Sequence, residues 1–416
     1  MSGKARPAGR AASRSRGPGF LLAGLLLAGL VVASLVAPGA VLGHSLPQSS
    51  SPAAGAQLTS PPAQVSIVFG ERPDPKLSTI KVLDTSGADV TAGPTAPNST
   101  NPLQLSVPLK ADLANSVYTV AWRTVSAVDG HLASGSFAFG LGVAPPAPGS
   151  GASAGATSAG PSPGAVIARW LLYLGLVGLL GLAVFGALVA HGTPASVRRV
   201  LPLAWLFAAA GTGLVIVFEL ADAGVDPGSV FDTSFGPGIV GRTIPLVVAG
   251  LAIALVWARP AMSRTGLVLV ALGAAGAMLA DVALSHAAAG TSVGLDVLVQ
   301  LVHVLAVGLW LGGLLGLVVN LRGTPGEDTA RLARRFSRLA TAGIATVAVS
   351  GLLRAISEVG TLDALVSTSF GLLVIAKTAL LGLIAAFGAI NHFRHVPAAG
   401  RTIRGLRRLG SAELLV

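Results

Sequence analysis

The chain has 416 residues, 52% of them hydrophobic and 11% charged, where a soluble globular protein carries roughly a quarter charged. That balance favours a membrane protein. The formal charge of +11 does not point to nucleic acid, because the basic residues gather between apolar runs, where they set membrane topology. Cysteine is absent and methionine occurs three times, which excludes disulfides, thiolate metal sites and a catalytic thiol. A metal site would draw on His, Asp, Glu and backbone or terminal nitrogen, a donor set that suits borderline rather than soft ions.

Residues 1–43 read as a secretory signal. Lys4, Arg6, Arg10, Arg14 and Arg16 precede an apolar run from Phe20 to Val36, and small residues with Val41 and Gly43 lead up to His44. The run is long for a signal, so an uncleaved anchor helix is the alternative. Cleavage after Gly43 would make His44 the first residue.

Residues 44–143 change character. Short β-rich runs at Gln64–Phe69, Ser78–Leu83, Leu103–Leu109, Val117–Thr124 and Gly135–Gly140 are separated by Pro, Gly, Asn and Asp. Period-two alternation in several of them predicts a small antiparallel β-sandwich with Greek-key connections. Residues 144–164 are nearly all Ala, Pro, Gly and Ser, the composition of a flexible linker.

The segment 165–416 predicts an all-α polytopic bundle. Apolar runs near 166–190, 200–221, 239–258, 265–284, 297–320, 338–356 and 370–391 are each about the 20 residues a bilayer span needs. Arg198, Arg199, Arg259, Arg264, Arg322, Arg331, Arg334, Arg335, Arg338 and the Arg394–Arg408 group fall in alternate loops. Glu219, Asp222, Asp226, Asp232, Asp296, Glu358 and Asp363 fall mostly in the others. The positive-inside rule then puts the first set in the cytoplasm and the β-domain outside. Thr233-Ser234-Phe235-Gly236 with Arg242-Thr243 recurs 135 residues later as Thr368-Ser369-Phe370-Gly371 with Lys377-Thr378, which reads as an internal duplication. The same offset maps the fourth helix onto a segment starting near Gly400, where Arg401–Arg408 reads as a basic loop and Ala412–Val416 as the first turn of an eighth helix, either truncated or cut by a fragmentary sequence.

Candidate ligands are few. An N-terminal His44 would offer amine and imidazole together. Asp129 and His131 stand two apart, so on a regular strand they would share a face; the plain alternative is that Asp129-Gly130 is a hairpin turn. His286 ends the fourth apolar run and His303 opens the fifth, both at the outer boundary. They are either ligands or scaffold imidazoles bonded to loop carbonyls. His191, His392 and His395 sit among cytoplasmic arginines and read as solvated. Arg242 and Lys377 are snorkelling anchors, or, for Arg242, a gate partner of Asp232 or Glu219.

Resemblance to known families sharpens this reading. His44-Ser45-Leu46, Ser51-Pro52-Ala53-Ala54-Gly55, Pro61-Pro62, Val68-Phe69-Gly70-Glu71, Tyr118–Arg123, Asp129-Gly130-His131 and Gly135–Phe139 resemble the CopC family across nearly all of 44–143. The resemblance implies Cu(II) ligands at His44, Asp129, His131 and Glu71. Family members with Cu(I) sites are Met-rich, and this segment has no Met. From about 165, Arg169-Trp170, the Thr-x-Phe-Gly runs, Ser285-His286-Ala287-Ala288, and His303 with Trp310-Leu311-Gly312-Gly313 resemble the CopD family. The fusion is similar to copper-acquisition proteins of the YcnJ type. It implies a multi-pass protein of the cytoplasmic membrane that binds copper outside and imports it, with copper ions and the lipid bilayer as partners. The rivals are a copper-dependent oxidative enzyme, which lacks an aromatic substrate face here, a haem-carrying membrane redox protein using His286 and His303, and a copper buffer or sensor without transport. No Gly-x-x-x-x-Gly-Lys motif offers ATP as a driving force.

Overall fold

A computed structural model describes residues 46–128, 130, 132–145, 157–158, 162–285, 293–321, 326–359 and 361–415. The expected signal segment and His44 lie outside the described residues, as do Asp129, His131 and His286.

The N-terminal part is a sandwich with, among the described residues, nine strands, β1 (Pro47–Ser51), β2 (Gln57–Leu58), β3 (Gln64–Phe69), β4 (Thr79–Leu83), β5 (Ala96–Pro97), β6 (Gln104–Pro108), β7 (Ser116–Val125), β8 (Leu132–Leu141) and β9 (Thr157–Ser158). One sheet runs β1-β3-β6-β5. The other runs β2-β8-β7-β4, with β9 on the far side of β8. Pairing is antiparallel except where β2 lies parallel to β8. Alternation dictates the core: Val65, Ile67 and Phe69 face Ile80, Val82, Val120, Trp122 and Phe139 across the two sheets. Trp122 meets Phe69 edge-on at 5.8 Å, and Tyr118 stacks on Phe139 at 5.5 Å.

The five alternating runs are β3, β4, β6, β7 and β8. β1, β2 and β5, which the sequence does not announce, are edge strands of Pro, Ser and Gln or of two residues. They have little apolar pattern to show because one side of each lacks a partner. Within the Ala/Pro/Gly/Ser segment, Thr157 and Ser158 pair with Ser134 and Ala133.

Among the described residues, seven helices are long and apolar enough to cross a membrane: α1 (Pro163–Val189), α2 (Ala195–Ala223), α3 (Phe235–Ala258), α4 (Pro260–Ala283), α5 (Val293–Asn320), α6 (Glu327–Val359) and α7 (Phe370–Ala398). They match the seven apolar runs. The largest difference is α6, which starts eleven residues before its apolar run. Its arginines are good helix formers, and Asp328 pairs with Arg331 one turn on at 3.8 Å. After α7 comes α8 (Arg404–Glu413), amphipathic and packed against α5 and α7. Leucines and valines such as Leu174, Leu206, Val217, Leu251 and Leu272 cover the outward faces of the spans, as a lipid surround requires.

α1 sits at the centre, packed on α2, α4 and α5. Backbone contact with α5 sets that packing: a Cβ at Gly312 would lie 2.0 Å from the Val177 carbonyl oxygen, so only glycine allows the approach.

The sandwich rests on one end of the bundle. Val125 packs with Ala223, Val225, Val230 and Phe235 beneath Leu77 and Leu132. Two polar contacts complement helix termini. Arg123 Nη2 donates to the Ala223 carbonyl at the C-terminal end of α2 (2.9 Å). Asp74 Oδ2 accepts from Ser234 N (3.0 Å) and Ser234 Oγ (2.8 Å) at the start of α3. A cation at a helix C-terminus and a carboxylate at an N-terminus are each favoured by the helix dipole.

Candidate functional site

The β7–β8 loop is built by Ser126. This buried residue accepts Gly130 N on its carbonyl at 3.0 Å and Val128 N on its hydroxyl at 3.1 Å. Gly130, between Asp129 and His131, takes φ +74°. Gly130 is doubly required, since a Cβ there would stand 2.7 Å from the Phe235 ring. Gly130 is thus pressed onto the start of α3.

Glu71 follows β3 and is 2% exposed. It reaches this loop because Ala127 N donates to the Arg72 carbonyl at 2.8 Å and Pro73 bridges Ser126. Glu71, Ala127 and Val128 form the upper wall of a cavity of about 650 Å³. Its floor is membrane helix: Ser234, Gly238 and Gly241 from α3, and Ala280, Ala283 and Leu284 from and just past α4. The structure therefore brings together Glu71 and the loop that carries Asp129 and His131, over the bundle. His286 follows Leu284 by two residues. Among the described residues, no three His, Asp or Glu side chains converge as a metal cluster.

Below the floor lies a network only partly legible in the sequence. Arg242 is 5% exposed. Its Nη1 donates to Glu219 Oε2 at 2.6 Å, and its Nη2 contacts Glu219 Oε1 and Asp281 Oδ1, each at 3.2 Å. The Tyr173 hydroxyl donates to Asp281 Oδ2. Arg169, nearer the rim, reaches Glu219 at 3.5 Å. Four helices thus supply one compact group, with Arg242 seven residues into α3, roughly 10 Å below its start at 1.5 Å per residue. Of the two sequence readings for Arg242, the structure pairs it with Glu219 and not with Asp232. Asp281 and Tyr173 were missed, although an ionisable residue inside an apolar run is itself a signal.

His303 lies elsewhere. α5 begins at Val293, which places His303 ten residues along it, roughly 15 Å by helical rise, and not at its opening turn. Its Nδ1 is 3.0 Å from Ser350 Oγ on α6. His392 bonds Ser337 at 2.8 Å and is exposed.

Comparison with known proteins places both halves. Residues 47–142 match the CopC domain family, and 330–416 match the family described as copper resistance protein D, CopD. The copper transport protein CutJ of Bacillus subtilis (strain 168) is 27% identical over 394 residues, 89% of this chain and 71% of the relative. Protein YobA of Escherichia coli (strain K12) is 34% identical over 90 residues, 22% of this chain and 72% of YobA. The crystal structure of CopC from Methylosinus trichosporium OB3b is 30% identical, covering 24% of this chain and 93% of that one, with a TM-score of 0.22. One polypeptide thus carries a match to the CopC family and a match to the CopD family, and it is homologous along most of its length to the copper transport protein CutJ.

Proposed function

We propose that the chain captures Cu(II) outside the cytoplasmic membrane on His44, Glu71, Asp129 and His131, and imports it through the helical domain with His286 and His303 as membrane ligands. The observation that carries this reading is the cavity between the two domains, which has Glu71 and the β7–β8 loop as its roof and Gly238, Gly241 and Leu284 as its floor. An ion released from the roof meets the membrane helices without crossing bulk water. An N-terminal His adds an amine and an imidazole, and His131 a further nitrogen, a set suited to tetragonal Cu(II). The orientation follows from loop charge, with the sandwich outside and the arginine-rich loops in the cytoplasm. The sandwich docks on the ends of α2 and α3 that this rule assigns to the outside.

Copper accumulation in cells with and without the protein, at limiting copper, is the test. Uptake should depend on the protein and fall to background in the His286→Ala/His303→Ala double variant, with Cu(II) still bound outside. Unchanged accumulation would show that these residues are scaffold. One residue added ahead of His44, or His131→Ala, should weaken Cu(II) binding strongly, and equal affinity would sink the outer site. External labelling of a Cys placed at Thr324 in intact cells would overturn the orientation.

A further inference from the structure

A cavity of about 370 Å³ opens between α5, α6, α7 and α8, at the end of the bundle away from the sandwich. Along α6 its wall runs from Ala333 to Ala348, roughly 22 Å at 1.5 Å per residue. One leaflet of hydrocarbon is about 15 Å deep, so this groove is long enough for an acyl chain. Most of the wall is small or aliphatic, including Leu314, Ala340, Ile344, Ala385 and Gly388. α6 and α7 are also the spans least buried within the protein, 17% and 11% of an 18-residue stretch against 72% in α1. Lipid therefore reaches both helices.

One end of the groove is polar. There Asn391, 7% exposed, and Glu413, 4% exposed, tie α7 to α8, with Asn391 Nδ2 donating to Glu413 Oε1 at 2.5 Å. That tie uses one donor and one acceptor. Asn391 Oδ1 is buried with no hydrogen-bond partner among the described residues. Glu413 forms no ion pair with a basic side chain among them, and burial pushes its carboxyl up to about 7 in spite of the bond from Asn391. A carboxyl group and an amide oxygen in this state call for a positively charged hydrogen-bond donor. Exposed Arg338, Arg394 and Arg407 directly follow the lining residues Ser337, Phe393 and Leu406 in the chain, and arginines suit a phosphate. An acyl groove, acceptors for an ammonium and arginines for a phosphate match the three parts of an aminophospholipid.

We propose that this groove is a lipid site selective for phosphatidylethanolamine, with the primary ammonium held by Glu413 and Asn391 Oδ1 and one acyl chain lying along α6 and α7. The ammonium supplies the counter-charge that the protein itself does not. Loop charge assigns this end of the bundle to the cytoplasm, so the lipid comes from the inner leaflet. A choline head carries the same charge but has no N–H to donate. A glycerol head donates through hydroxyls but brings a net negative lipid to Glu413. The site does not depend on copper import.

The test equilibrates purified full-length protein with equal parts of phosphatidylethanolamine, phosphatidylcholine and phosphatidylglycerol carrying identical acyl chains. Lipid-free detergent then strips the protein, and mass spectrometry counts the lipid retained per chain. Wild type should retain phosphatidylethanolamine about tenfold or more over each of the others, the scale of one charge-assisted hydrogen bond. Equal retention of the ethanolamine and choline lipids, or a preference for phosphatidylglycerol, overturns the proposal without any variant having to fold. Glu413→Gln should erase the ethanolamine preference while lipid is still retained; a preference that survives in that variant, once folded, overturns the assignment of the head. Ala340→Phe fills the groove and should remove retained lipid of all three classes, and full retention in the folded variant places the lipid elsewhere. Release of the ethanolamine lipid by added Cu(II) would make the polar end an ion site and overturn the proposal as well.

Discussion

The two halves of the membrane domain share the Thr-Ser-Phe-Gly entry to a helix and differ in what they bury. In the first, α1 to α4 pack closely and hold Glu219, Arg242 and Asp281 in one group. In the second, the offset of 135 residues puts Lys377 where Arg242 stands and Arg354 where Glu219 stands. Two cations cannot pair, and Arg354 turns instead to Glu358 one helical turn along. The helix entry Thr-Ser-Phe-Gly is common to both repeats, yet only the first carries a β-domain on its Ser. The β-domain and the carboxylates buried with Arg242 thus sit on the same half of the membrane domain.

The largest expected effect tests that asymmetry directly. Glu219→Ala leaves Arg242 buried with Asp281 alone, and breaking a buried pair by removing one partner costs about 3–5 kcal/mol. Lys377→Ala, at the equivalent place in the second repeat, should stay within about 0.5 kcal/mol, as for a side chain without a buried partner. Thermal unfolding of the purified protein reads both. Equal losses would mean that the two halves bury charge alike.

Next comes the contact between the domains. Gly130→Ala must place a Cβ against the Phe235 ring at a positive φ, a strain of about 1–3 kcal/mol that falls on docking. Because the chain has no cysteine, an Asp74→Cys/Ser234→Cys pair can report docking as a single crosslink. It should form readily in the otherwise native chain and poorly beside Gly130→Ala. Equal crosslinking would show that the loop tolerates the methyl group by shifting in place.

The framework was legible because repetition reveals it. Val65-Ile67-Phe69 alternate and the spans run to helical length, so neither needs tertiary knowledge to be seen. The docking surface is different. Asp74 and Ser234 are 160 residues apart, and Arg123 bonds a carbonyl 100 residues away; no local pattern marks them as partners. The buried charge group was half visible, since Arg242 and Glu219 invite pairing. Asp281 is a lone acid near the end of the fourth apolar run, and Tyr173 reads as one more aromatic in an apolar helix. Asp129 and His131 were visible in their spacing, Glu71 came from the family resemblance, and what the fold adds is the positive φ and tight contact of Gly130.

The smallest effect concerns His303 and separates ligand from scaffold. Ser350 Oγ lies 2.6 Å from the Thr346 carbonyl oxygen and 3.0 Å from His303 Nδ1. In the tautomer where Ser350 donates to Thr346, His303 Nδ1 carries the proton and Nε2 is left with the lone pair. That is the arrangement of a metal-binding imidazole held in its tautomer by an outer partner. Ser350→Ala removes one neutral hydrogen bond, a stability loss of about 0.5–1.5 kcal/mol, whichever role His303 plays. Copper accumulation tells the roles apart. A ligand that loses its orienting partner should weaken uptake by about tenfold or more, and Ser350→Thr, which keeps the hydroxyl, should restore it. Accumulation that follows only the small change in stability would leave His303 as an interhelical strut between α5 and α6.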